Sequence, residues 1–181
     1  MAWSNIFLQL ITETGPVIGE GLLEGWETSI ELESFDWGCE YKQSHEKEAS
    51  GFGAAAASAL SSALGLVEKN FKMKPLTIKK RFDIASSQIH FCVDRNLKVF
   101  SASISVLYIR HGGQAIHRPG FTLIATDGYF NKVDLEMVQR GHAVEVMEVV
   151  ELEFKSIVVT YLKRVGKETM PTIPFTYTAP S

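Results

Sequence analysis

The sequence predicts a mainly β domain, a small β-barrel or orthogonal sandwich of two curled antiparallel sheets with one flanking α-helix at about residues 84–95. Three observations carry this. Apolar and polar residues alternate with period two along much of the chain. Two long strands change phase midway, so each turns over its buried face. One stretch instead repeats its apolar residues at helical spacing behind a capping residue.

The elements follow in order. Ile6, Leu8 and Leu10 alternate with Phe7, Gln9 and Ile11, a short first strand. Thr12 to Gly25, with four glycines and a proline, reads as a loop. Thr28 to Gly38 reads as a strand with a flaw. Ile30 and Leu32 oppose Glu31 and Glu33, but Phe35 and Trp37 are apolar in the opposite phase, so an extra residue is expected near Ser34. Alanine-rich Ala54 to Leu64 reads as a second, thinly apolar helix or a loop that orders against a partner. Lys72 to Arg81 reads as a strand. Asp83 is placed to cap a helix whose stripe is Ala85, Ile89, Cys92, Val93 and Asn96, with Ser86, Ser87, His90 and Asp94 on the polar face.

Ser101 to Ile109 is a strand with Ile104, Val106 and Tyr108 on one side. Phe121 to Thr126 and Asn131 to Val138 continue the pattern as two pieces. Gly141-His142 reads as a loop or turn before a long strand from Val144 to Leu162. In that strand the even positions of Val150 to Phe154 are apolar and the odd positions of Ile157 to Tyr161 are, a flip near Ser156. Phase flips of this kind mark a sheet that curls or switches sheets. From Gly166 the tail holds three prolines and a strand-like Pro174 to Thr178. We assign one domain to 1–165, with an extended inserted loop at 39–70, and a C-terminal tail to 166–181.

Length and composition limit the function. A chain of 181 residues holds one domain with a real core, and 45% hydrophobic with 22% charged residues is ordinary globular composition. A net charge of -3 supplies no basic excess for a phosphate backbone, which argues against nucleic acid. Gly51 to Val67 is uncharged but short and rich in small residues, so no stable membrane insertion is expected. No secretory signal is visible at the N-terminus. Cys39 and Cys92 read as two reduced, buried thiols.

No constellation points to catalysis. The histidines at 45, 90, 111, 117 and 142 match no metal pattern, and no nucleotide-binding or hydrolase motif is present, so no cofactor and no enzymatic activity are expected. Glu31 and Glu33, like Glu151 and Glu153, sit at i, i+2 on a strand and point the same way, unlike a facing glycosidase pair. They read as a solvated or subunit-facing surface. A monomeric barrel holding a small ligand is the alternative that composition leaves open.

Ordered segments then resemble one family. Ile6-Phe-Leu-Gln-Leu10, Ile30-Glu-Leu-Glu-Ser-Phe-Asp-Trp-Gly38, Leu76 to Ser87, Val99 to Ile109 and Glu148 to Tyr161 are similar, in sequence order, to the hemolysin-coregulated proteins (Hcp), tube subunits of bacterial type VI secretion related in fold to contractile-phage tail-tube proteins. The resemblance implies a tail-tube-like β-barrel with a helix on its flank. It implies hexameric rings that stack into a tube, export without a signal peptide, effector cargo in the lumen, and sheath and spike proteins as partners. A prophage-like particle is the near alternative. Two departures are notable. The loop at 39–70 is longer than the family's, and Asp36 stands where a small polar residue usually faces the lumen, so an acidic lumen is expected. Asp36, Glu31 and Glu33 are the lumen candidates. Trp37, Tyr41, Phe52, Leu60, Leu64 and Glu148 are candidates for a subunit or ring interface.

Overall fold

The computed structural model describes residues 5–41, 71–107, 119–165, 168–172 and 174–179. Among these residues eleven strands run in chain order: β1 Ile6–Thr12, β2 Gly15–Val17, β3 Ile30–Asp36, β4 Cys39–Tyr41, β5 Phe71–Met73, β6 Leu76–Arg81, β7 Lys98–Leu107, β8 Pro119–Arg140, β9 Ala143–Val165, β10 Glu168–Pro171 and β11 Phe175–Thr178. The helix α1, Ile84–Asp94, lies between β6 and β7. The wall runs β9-β6-β3-β1-β7-β8, and β8 pairs back onto β9, so six antiparallel strands close into a barrel. The two curled sheets of the sequence reading are two halves of this one hydrogen-bonded cylinder. β11 pairs β9, β2 pairs β1, and β4 and β5 form a separate two-stranded ribbon.

Both phase flips are present. In β3 the register shifts between Leu32 and Ser34, so Ile30 and Leu32 are buried and, past the bulge, Phe35 packs on the same core. In β9 the core residues change from Val150, Leu152 and Phe154 to Ile157. The partner strand bends at the same level: Asp127 takes a φ of 58°, and Gly128 faces Phe154. A Cβ on Gly128 would lie 2.3 Å from the Glu153 carbonyl oxygen, so only glycine allows β8 to bend there. A β-bulge between Phe130 and Lys132 adds a second kink. The bends let one strand turn from one half of the barrel to the other. The interior is filled by side chains, among them Leu8, Leu10, Ile30, Ile78, Ile104 and Leu123.

Several boundaries differ from the sequence reading. Pro75 divides the expected strand at 72–81 into β5 and β6, because it lacks the N–H a ladder needs. The pieces at 121–126 and 131–138 are one strand, β8, which bends instead of breaking. The first loop contains β2, folded back on β1 in register Leu10 to Val17. The tail is part of the domain: β11 extends the barrel wall, and Tyr177 meets Trp37 edge-on at 5.0 Å. Gly141 and His142 do form the two-residue turn between β8 and β9, with Gly141 at φ +63° in the first turn position.

The helix begins as expected. The Asp83 carboxylate accepts from the Ala85 N–H at 3.0 Å, and the Ser86 hydroxyl accepts from the Asp83 N–H at 3.1 Å, a reciprocal cap. Ala85, Ile89 and Cys92 are buried against the barrel. Ser86 is buried too, contrary to its assignment to the polar face. The cysteines also differ from expectation: Cys92 is a buried free thiol, whereas Cys39 is exposed on β4. The second helix expected at 54–64, the histidines at 45, 111 and 117, and the interface candidates Phe52, Leu60 and Leu64 lie outside the described residues. No described helix is long and apolar enough to cross a membrane.

Candidate functional site

A closed barrel filled by its own side chains offers its outer faces to partners, and here those faces divide by charge. On one side the registered rungs place Asp36, Thr77, Glu151 and Lys132 in a row, then Ser34, Lys79, Val149 and Asp134, then Arg81, Met147 and Glu136. On the other, Phe7, Ser105, Thr122 and Thr160 form one row; Gln9, Ser103, Ile124, Val158 and Thr176 the next; Ile11, Ser101, Thr126, Ser156 and Thr178 the third. No side chain in those three rows ionises.

Asp36 and Glu33 point outward on the charged face, whereas Glu31 is the register partner of Phe7 and borders the first uncharged row. Asp36 is exposed at the end of β3. Its negative charge contributes to holding the Lys74 ammonium above its ordinary range, though the hydrogen bond from Lys74 to Glu40 is the larger cause. Glu33 pairs with Arg140 at 2.5 Å. Glu31 accepts the Leu22 N–H at 3.3 Å. Lys79 meets Glu136 at 2.8 Å, and Arg81 and Arg140 each reach Glu145 at 3.4 Å. Lys132 pairs with Asp134 at 2.5 Å, which raises its pKa, the hydrogen bond being the main cause. The face is therefore a lattice of both signs, not the acidic wall expected from Asp36, Glu31 and Glu33. The interleaved bases sit on β6, beside β3, and on β8, beside β9, neighbours that become clear only in the fold.

Of the interface candidates, Trp37 is half-buried and packs against the core and Tyr177. Tyr41 lies on β4. Glu148 is no surface residue. It is fully buried under α1, with its Oε2 3.0 Å from the Lys80 Nζ and 2.8 Å from the Ser86 hydroxyl. Lys80, also fully buried, further donates to the Arg81 carbonyl at 2.7 Å and the Ser86 hydroxyl at 2.9 Å, and forms a second ion pair with the Asp83 carboxylate at 2.7 Å. Its alternating position on β6 aims it inward, where an unpaired ammonium would be prohibitive. His90, half-exposed, brings Nε2 to 2.8 Å from Glu148 Oε1. That contact is a hydrogen bond when Nε2 carries the proton; with the proton on Nδ1, both atoms lack a partner. Sequence reading missed this cluster because Lys80 and Glu148 are 68 residues apart. No group of metal-ligating side chains occurs among the described residues.

Comparison with known proteins identifies the fold. No family model and no curated protein matches the chain. Solved structures do. A mutant of the Hcp1 protein from the E. coli EAEC 042 pathovar superposes with a TM-score of 0.67 at 18% identity, covering 97% of this chain and 98% of that one. Hcp1 from Salmonella typhimurium gives 0.62 at 17% identity over 96% and 95%. The secreted protein Hcp3 from Pseudomonas aeruginosa gives 0.63 at 14% identity over 97% and 98%. The chain thus has the Hcp fold from end to end, as the ordered sequence segments implied.

Proposed function

We propose that this chain is a structural tube subunit of a type VI secretion system, closing into hexameric rings that stack into an exported tube. The observation that carries the reading is the likeness to Hcp structures over 97% of this chain and 98% of those chains. The motif order that suggested the family supports it independently: the bulged Ile30–Asp36 strand before Trp37-Gly38 and the Asp83-capped helix stand where the resemblance puts them. The packed barrel interior leaves the alternative of a ligand held inside one barrel without support.

In this reading the charged face, with Asp36 at its margin, lines the lumen. A wall of paired charges keeps the channel wetted while presenting little net charge to a polypeptide cargo. Ring closure joins one surface of each subunit to a different surface of the next. The sheath, the spike, effectors and export without a signal peptide belong to the same proposal.

Size-exclusion chromatography with negative-stain imaging tests it. Rings with a central hole, eluting near six times the 20.1 kDa chain mass, are expected. A monodisperse 20.1 kDa monomer at all concentrations overturns the reading.

A further inference from the structure

The inner face of the barrel does not stop where the barrel stops. Three successive rungs run outward across β6, β9 and β8. The first, Ile78, Val150 and Val133, belongs to the core. The second, Lys80, Glu148 and Leu135, is the buried ion pair beneath α1 together with a leucine that is 56% exposed. The third lies beyond the last residue of β6: the Phe82 N–H donates to the Val146 carbonyl at 3.0 Å, and Val146 pairs with Met137. Here the β8–β9 hairpin projects past its neighbours, and none of the described residues covers the face. Met137 is 82% exposed and Val144, on the next rung, 65%. A core-facing stripe therefore ends in an open apolar ledge of Phe82, Leu135, Met137, Val144 and Val146.

Folded domains seldom leave contiguous apolar side chains of this size in water without a partner for them. The partner surface must accept the ledge without burying charge, because an ammonium or carboxylate stripped of water and left unpaired costs several kcal/mol. The lattice of ion pairs on the charged face fails that condition. Two of the uncharged rows meet it, those of Ile124 and of Ile11, since the first is closed within the chain by Trp26 over buried Phe7, and they carry exposed apolar side chains of their own, Ile11 and Ile124, beside exposed Phe100. The two surfaces differ, as a ring-closing contact between identical chains requires.

We propose that in the assembled particle the ledge of each subunit seats on the uncharged outer face of β1, β7, β8, β9 and β11 of the next copy of this chain. The inference rests on the tube-subunit reading and adds which surfaces meet. Burial of the ledge supplies the apolar centre of the contact, and the Ser and Thr hydroxyls around Ile124 supply a polar rim.

Two experiments on the full chain test it. Met137→Asp with Val146→Asp places carboxylates on the ledge, where both positions are already exposed. The ring peak is expected to be lost, with an unchanged circular dichroism spectrum. In a Cys39→Ser background, Met137→Cys chains mixed with Ile124→Cys chains are expected to form a disulfide-linked dimer on mild oxidation, since the two positions would meet across the contact. Wild-type rings together with Asp-variant rings of equal yield and no cross-link overturn the docking and leave the tube reading standing. Intact rings with a lowered melting temperature assign the ledge to a contact within one chain and also overturn it. A wild-type chain that forms no ring at any concentration overturns both readings.

Discussion

Lys79 and Lys80 are neighbours on β6, and each holds a glutamate from across the sheet, yet they live in different solvents. Lys79 points outward and meets Glu136 at 2.8 Å, with both side chains partly in water. Lys80 points inward and meets Glu148 at 3.0 Å, with neither side chain exposed. Water screens the first pair and supplies alternatives when it opens. The second has only its neighbours, so Asp83, Ser86 and the Arg81 carbonyl must complete the coordination. Similar chemistry one residue apart thus does two jobs. The outer pair decorates a surface, whereas the inner one clamps the start of α1 to the barrel wall.

The largest expected effect tests the inner pair. Glu148→Ala removes one carboxylate from around a buried ammonium, leaving it Asp83 alone as counter-charge. A loss of about 3–5 kcal/mol in urea denaturation is expected. The double variant Lys80→Met with Glu148→Leu removes both buried charges at similar volume and should recover most of that loss. If Glu148→Ala costs no more than a surface variant, Lys80 must find another route to water and the contrast between the two faces collapses.

The outer pair gives the smaller value. Lys79→Ala is expected to cost at most about 1 kcal/mol in the same measurement, and the cost should shrink further at high salt. A cost comparable to that of Glu148→Ala would mean that the outer lattice acts as a cooperative network.

The sequence carried the local half of this account. Period two along β3 and β9 with its interruption near Ser34 and Ser156, the cap at Asp83 and the turn at Gly141 all depend on residues close in the chain, and all appear in the fold. What stayed hidden depends on closure. Glu148 shares the inward phase of Val150, Leu152 and Phe154, opposite to Glu151 and Glu153, but what makes a carboxylate tolerable there is the arrival of Lys80 and α1 above it. Arg140 reaches Glu33 of β3, Arg81 and Arg140 reach Glu145 of β9, and Lys79 reaches Glu136 of β8 only because the fold gathers these strands on one side of the barrel. Val133, Leu135 and Met137 were legible as one apolar face, but where the cover of that face ends is fixed by the length of β6. The run 127–130 lies between the two strand segments read from the sequence; Asp127-Gly128 is turn chemistry, yet the ladder to β9 absorbs it as a bend.

The smallest effect concerns that bend. Asp127 faces Lys98 and lies 2.9 Å from Lys155 on β9. The hydrogen bond from Lys98, then that from Lys155, holds its carboxyl below its ordinary value of 3.8. A carboxyl with a depressed folded-state pKa stabilises the protein above its unfolded value and loses that contribution as pH falls through the folded value. Asp127→Asn removes the charge while keeping a residue type that tolerates the observed φ of 58°. The variant should therefore melt slightly below wild type at neutral pH, and the two melting temperatures should converge as the pH drops below 3.8. A gap that persists unchanged in acid would assign the role of Asp127 to backbone shape alone, and the ion pairs of this exposed corner would then contribute nothing that the bend does not already supply.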